Sequence, residues 1–399
     1  MKITFVSNYI NHHQAPLCSA LFSVLGDDFT FIETEQMTQE RTDLGWTQDA
    51  EMLAYCRNWE RERRFCEKLF LTSDVVLLGW SRLPAQLIEE RLSSGKITLR
   101  VTERIYKEGQ WKAVSPRGLK EKYKEHIRYR RKPVYLLCAG GYVASDFALI
   151  HAYPEKRYRW GYFPEFKKRS STQWDDAQAR EVKLCFAGRM IDWKHPEYAL
   201  KLAKRLKALD VPFSLDMVGD GPLRKVLEAW TKKRGLGSCV RFHRAVTPRE
   251  ARAIMEESHI FLFPSNHLEG WGVVVNEAMN SALAIVACES AGSVPFLIED
   301  GTNGLTFPEG EYAAFERQGL RLVFDRALCR TLGMAAYETV EKEWNPQAAA
   351  GRLIALCKAL LKEGKAMPFP GAGPLSAAPV LRPKKAKRRR KEPNRQDHM

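Results

Sequence analysis

No Cys-x-x-Cys pair occurs among the nine cysteines of this chain. They are scattered, odd in number and often set inside apolar strand-like runs. Neither a disulfide framework nor a structural zinc site is expected from that pattern, and a reducing cytoplasm fits it. An uninterrupted apolar run long enough to cross a bilayer is also missing, which argues against an integral membrane protein. The opening Met1-Lys-Ile-Thr-Phe-Val-Ser has neither the apolar core nor the cleavage site of a secretory leader, and reads as a first strand. No internal short-period repeat is present.

What is present is a globular mixture, 45% hydrophobic and 28% charged over 399 residues, enough for two domains with buried cores. The formal net charge of +15 is unevenly spread. Residues 368–399 hold nine Lys or Arg against two acids, and a second basic cluster runs from Lys120 to Lys132. Nucleic acid, an anionic membrane surface and an anionic substrate would each suit such charge, and composition does not choose among them.

Strand-like runs at 2–6, 29–33, 74–79, 97–102 and 134–138 are followed by a second series at 182–187, 213–218, 239–243, 260–264 and 284–288. Polar stretches with helical spacing separate them, so the expectation is α/β: two Rossmann-like, doubly wound domains with parallel sheets covered on both faces. The expected boundaries are a first domain over 1–165, a linker over 166–181 and a second domain over 182–344. A last helix over 345–366 and a disordered basic tail over 367–399 complete the chain.

Three segments carry chemistry. From Phe263 a buried-type strand runs into the loop Pro-Ser-Asn-His-Leu-Glu-Gly-Trp-Gly and then an apolar helix. Gly270 and Gly272 allow close backbone approach to a ligand, and the helix start with Val273 suits a phosphate or sugar oxygen. Glu277 lies within the apolar helix and needs a partner, which a backbone amide could also supply. Glu269 precedes it by eight residues, so both could face one site. In the second segment a strand ends before Gly188, and Arg189 and Lys194 follow where doubly wound sheets bind ligands. They suit a diphosphate, although two cations of this kind also occur on ordinary surfaces. In the third, Asp216-Met-Val-Gly-Asp-Gly-Pro puts Gly219 and Gly221 at a strand end, for a ligand or simply a tight turn.

Together these residues resemble the family-four retaining glycosyltransferases of the GT-B architecture, within glycosyltransferase group 1. The resemblance rests on Gly188-Arg189…Lys194, on Val218 to Pro222, and on the Glu269-x7-Glu277 element, continuing through Ala291 to Glu299 and Gly301 to Leu305. It is specific over roughly 182–310 and thin over 1–160. It implies two domains facing across a cleft, with a nucleotide-sugar as co-substrate and no cofactor. Gly188, Arg189, Lys194, Gly219, Arg244, Glu269, Gly270, Trp271, Gly272, Val273 and Glu277 would hold the donor. Arg189 and Lys194 would take the diphosphate, Glu277 the ribose and Glu269 the transferred sugar. Arg189, Lys194, Glu269 and Glu103 would carry catalysis. Cations and a helix end stabilise a leaving phosphate without a metal, and no Asp-x-Asp pair stands beside these motifs to bind one.

The acceptor would fall to the first domain, where Asn11, His12, His13 and Gln14 replace the glycine-rich loop common in the family. Glu103, at another strand end, could contact either substrate or form an ion pair with Arg104 or Arg100. The aromatic run from Tyr153 to Phe163 could stack a sugar or pack a core. Lys120 to Lys132 or the tail would make peripheral contact with anionic lipid at the inner face of the cell membrane, or serve only as solvated charge. No specific nucleic acid is expected. Two alternatives stay open: a sugar-nucleotide epimerase of the same architecture, and a basic membrane- or nucleic-acid-binding protein with a vestigial cleft.

Overall fold

The computed structural model describes residues 1–39, 42, 53–168, 181–244 and 246–382. Most of the expected linker, 169–180, and the end of the basic tail, 383–399, lie outside the described residues. The chain divides into two compact units, Met1–Phe166 with Glu341–Arg382, and residues 167–340.

In the first unit, seven strands form one sheet in the order β3-β2-β1-β4-β5-β6-β7. They are β1 (Ile3–Ser7), β2 (Phe29–Glu33), β3 (Cys56–Asn58), β4 (Val75–Leu78), β5 (Ile97–Thr102), β6 (Val134–Ala139) and β7 (Arg157–Trp160). Every strand pair within the sheet is parallel. Every residue of β1, β4 and β6 is buried, as a strand covered on both faces requires. Sheet order reverses between β1 and β4, which is where doubly wound sheets open a crevice for ligands. Arg91 is fully buried and is held by the carbonyls of Leu71, Ser73 and Ile97. Burial lowers its pKa to about 10.

The Pro346–Glu363 helix belongs to this unit and packs on the Ala15–Leu25 helix. Asn345 caps its start by accepting from the Ala348 amide at 2.8 Å, and Gly364 ends it with φ 68°. Beyond it the structure corrects the expectation of a disordered tail from 367. The amide of Arg159 donates to Ser376 O (2.8 Å), and the amides of Leu375 and Ala378 donate to Arg159 O (2.8 Å) and Arg157 O (3.0 Å). Residues 375–378 therefore cover the edge of β7, with Leu375 fully buried.

The second unit has six strands in the order β10-β9-β8-β11-β12-β13, all pairs parallel. They are β8 (Val182–Ala187), β9 (Phe213–Val218), β10 (Val240–His243), β11 (Ile260–Phe263), β12 (Ala284–Cys288) and β13 (Leu305–Phe307). Here the reversal falls between β8 and β11. Its core joins Leu184 and Phe186 of β8 to Leu202 and Leu206 of the Pro196–Ala208 helix and to Phe315 and Leu322 of the Tyr312–Phe324 helix. Among the described residues, no helix is long and apolar enough to cross a membrane.

Candidate functional site

The carboxyl ends of β8 and β11 bring the motif residues of the second unit together. After β8 the chain turns at Gly188 (φ 153°), and a Cβ there would lie 3.2 Å from Lys194 Cδ. Gly219, opening the turn after β9, has φ 127°, and a Cβ on it would overlap the Gly188 carbonyl. These two glycines let the β8 and β9 turns touch backbone to backbone, which any side chain would prevent. Arg189 is exposed, its guanidinium 5.7 Å from the Trp193 ring centre. Lys194 donates from Nζ to Glu269 Oε2 at 2.5 Å, with side chains only 12% and 15% exposed.

The loop after β11 is tied down on both sides. Asn266 donates its amide to Trp193 O (2.9 Å), so the loops carrying Lys194 and Glu269 are hydrogen-bonded to each other. Gly272 has φ 86°, and a Cβ there would overlap the Phe263 ring. Glu269 sits in this loop, before the Val274–Asn280 helix, so its relation to Glu277 is not set by helical phase. The Trp271 ring is turned into the core: it is 2% exposed, and its indole N–H donates to Asn276 Oδ1 at 2.8 Å. Any donor contact at this position falls to the backbone.

Glu277 is partly buried on the first turn of that helix. Burial raises its pKa to about 7, against the opposing pull of Arg252 and Lys167. No backbone amide donates to its carboxylate among the described residues. A carboxylate so placed gains from a ligand hydroxyl that donates to it.

Residues 170–339 match the model for glycosyl transferases group 1. The amylovoran biosynthesis glycosyltransferase AmsK of Erwinia amylovora is 28% identical over 190 residues, 46% of each chain. The sulfoquinovosyl transferase SQD2 of Arabidopsis thaliana is 30% identical over 152 residues, 37% of this chain and 29% of that one. The chain spans less than half the length of these curated relatives. Among solved structures, Anabaena Alr3699/HepE in complex with UDP superposes with a TM-score of 0.65 at 14% identity, over 89% of this chain and 98% of that one. The lipopolysaccharide outer core galactosyltransferase WaaB superposes with a TM-score of 0.63 at 13% identity, over 90% and 99%. The fold is thus that of the GT-B glycosyltransferases.

Within the group 1 match, two side chains at the end of β10 have ion-pair partners. Arg244 is exposed and pairs with Glu228 at 3.5 Å. His243 is drawn to Asp216 (Nε2–Oδ1 2.7 Å), which Arg241 also grips at 2.9 and 3.0 Å. Buried Arg224 caps this corner, donating to Gly219 O (2.8 Å) and His243 O (3.0 Å). Sequence reasoning missed His267, whose Nδ1 lies 2.7 Å from Glu309 Oε1. Burial opposes ionisation of Glu309, but the His267 contact prevails and lowers its pKa. Its signal was its position two residues before Glu269 in the loop. His195, at φ 47° before Pro196, also meets this loop, 3.4 Å from Asn266 Nδ2.

In the first unit, Asn11 builds the turn. Its Oδ1 accepts from the amides of His13 (2.9 Å) and Gln14 (3.1 Å), starting the Ala15–Leu25 helix. Gln14 Nε2 donates to Ser7 Oγ at 3.2 Å. His12 and His13 lie with ring centres 3.7 Å apart, and burial, then His12, holds His13 well below the ordinary histidine value. Glu103 pairs with neither Arg104 nor Arg100. It accepts from Lys107 Nζ (2.6 Å) and the Tyr162 hydroxyl (3.2 Å). Arg104 instead forms a buried pair with Asp146 at 3.2 Å, and Arg100 bonds the Glu125 carbonyl and His126. Tyr153, Tyr158, Trp160 and Phe163 are core residues.

Proposed function

We propose that the protein is a metal-independent, retaining glycosyltransferase of family four. It moves a sugar from a nucleotide-sugar, UDP-linked, to a glycan or lipid-linked acceptor in polysaccharide or cell-envelope assembly. The observation that carries this reading is the buried-edge pair Lys194–Glu269 beside Arg189 at the β8/β11 reversal. Arg189 and Lys194 take the diphosphate, Glu269 the transferred sugar and Glu277 the ribose hydroxyls. The binding of UDP by the HepE structure, at a shared fold, supports uridine as the base.

In the reaction the anomeric carbon–phosphate oxygen bond breaks and a bond to the acceptor oxygen forms on the same face. The acceptor proton passes to the departing diphosphate. Cations fixed before the reaction stabilise the charge that develops there, at little reorganisation cost. The enzyme works at the cytoplasmic face of the membrane. The Pro116–Glu125 helix would touch anionic lipid: Leu119, Lys120, Tyr123 and Lys124 are exposed at helical spacing, near exposed Trp111 and Val114.

The test is thermal stabilisation by UDP-, GDP- and ADP-sugars, with Arg189→Ala and Glu277→Ala alongside. At 100 times its dissociation constant a ligand should stabilise by about 2.7 kcal/mol. One nucleotide should act, and both variants should weaken it. No shift with any nucleotide would overturn the reading in favour of a basic binding protein.

A further inference from the structure

The first unit carries a large aromatic side chain that the fold does not use. Trp80 follows β4 in the loop Gly79-Trp80-Ser81-Arg82-Leu83-Pro84, and the residue is 77% exposed. Its position is the β1/β4 reversal of the seven-stranded sheet. The loop is pinned there: Gly79 donates its amide to Val6 O at 2.9 Å, and a Cβ on Gly79 would lie 3.1 Å from Ser7 Oγ. On the next residue pair, the Arg82 amide donates to Thr34 Oγ1 (3.2 Å), and the Arg82 guanidinium lies 3.2 Å from Glu35 Oε1. Glu35 is itself bound to the β1 turn through its amide and Asn8 O at 2.8 Å.

An exposed indole on a braced backbone, two residues before Arg82 and its Glu35 partner, has the chemistry of a sugar-stacking platform. A pyranose presents one face of C–H groups to an aromatic ring, and its hydroxyls at the rim need charged or polar partners. A lipid surface would call for several exposed apolar side chains at this spot. Leu83 is buried, and Trp80 is the one exposed large hydrophobic among 79–84.

We propose that Trp80 stacks on a pyranose ring of the acceptor, with Glu35 and Arg82 bonding its hydroxyls, so that the acceptor is a carbohydrate rather than a bare lipid alcohol or phosphate. This deepens, and rests on, the glycosyltransferase reading. Trp80 acts here as an acceptor-binding residue, with no role in holding the nucleotide.

The full chain labelled with 15N-indole tryptophan tests this, the Trp80 signal being assigned by its loss in Trp80→Phe. The probes are the methyl glycosides of glucose, galactose, mannose and N-acetylglucosamine, then maltose, cellobiose and lactose, with UDP titrated separately. At least one saccharide should shift the Trp80 signal. Trp80→Ala should weaken that saccharide's binding about tenfold, about 1.4 kcal/mol, while Trp80→Phe largely preserves it and UDP affinity stays the same in both. If no saccharide moves the Trp80 signal while UDP still binds, the platform is overturned and the donor site stands. A shift of the Trp80 signal by UDP alone overturns it too, assigning the indole to the base. A saccharide shift without any nucleotide binding upholds the platform and sinks the transferase reading instead.

Discussion

The ammonium of Lys194 lies 2.5 Å from a carboxylate oxygen of Glu269, joining two loops 75 residues apart. Each charge is the other's partner until a ligand enters, so substitution of either should affect binding differently. Lys194→Ala removes the proposed diphosphate cation and leaves a poorly exposed carboxylate unpaired. It should weaken both UDP and UDP-sugar at least about tenfold, the scale of one charge-assisted hydrogen bond. Glu269→Ala frees the ammonium for phosphate. UDP should then bind as well or better, while the advantage of UDP-sugar over UDP disappears. Isothermal titration of both ligands separates these outcomes, and equal losses for both ligands in Glu269→Ala would refute the assigned roles.

Glu277 makes stability depend on pH in an unusual direction. Its pKa is raised from 4.5 to about 7 by burial. Between those values the folded chain holds a proton that the unfolded chain releases. Its contribution is therefore present below the lower value and is lost as pH rises through the upper one. Glu277→Gln should flatten that part of the profile. Urea midpoints at pH 5, 6, 7 and 8 measure it, and an unchanged slope in the variant would remove Glu277 as the cause.

Gly219→Ala places a Cβ into the Gly188 carbonyl at φ 127°. The cost should reach about 2 kcal/mol or more, since neither backbone can yield. Gly237→Ala, where a Cβ meets nothing within 4 Å, is the control and should change stability by about 0.5 kcal/mol or less. Equal denaturant midpoints for the two variants would show that the close approach of the turns is not required.

Chain ending at residue 365 would lose the strand-like cover of β7 and the buried Leu375. A lower melting temperature by several degrees and more aggregation are expected, on the scale of about 2–4 °C per kcal/mol for a unit of this size. A chain ending at Arg382 keeps these contacts and should melt above the shorter chain. Matching melts for both truncations would mean that the segment adds nothing.

Vesicle binding tests the lipid contact. Lys120→Glu and Lys124→Glu reverse two exposed charges that share a helix face with Tyr123. At about 1 kcal/mol per basic residue, each should reduce partitioning onto phosphatidylserine vesicles several-fold, less so in high salt. Activity on a soluble acceptor should not change. Unaltered partitioning in the double variant would remove this helix as the contact.

Ten strands were legible in the sequence as short apolar runs, the central ones because parallel strands covered on both faces must be apolar along their length. The edge strands β3, β7 and β13 were not. Cys-Arg-Asn and Arg-Tyr-Arg-Trp bury only alternate or single residues, so the same signal is absent. Residues 367–382 misled for a related reason. Proline, alanine and glycine dominate them, and a single Leu375 enters a core that the rest of the unit supplies.

At the site, local sequence determined which groups stand at strand ends: Gly188, Arg189, Lys194, Gly219 and the Glu269–Glu277 loop and helix. Turn glycines and cations are set by neighbours along the chain, and so can be read there. Tertiary structure alone decided the partners. It turned Trp271 into the core, used Asn11 as a turn brace, gave Asp216 to His243 and Arg241, and set His267 on Glu309. Pairings of that kind join loops that only the sheet order brings together, and a single sequence does not encode distance between residues far apart in the chain.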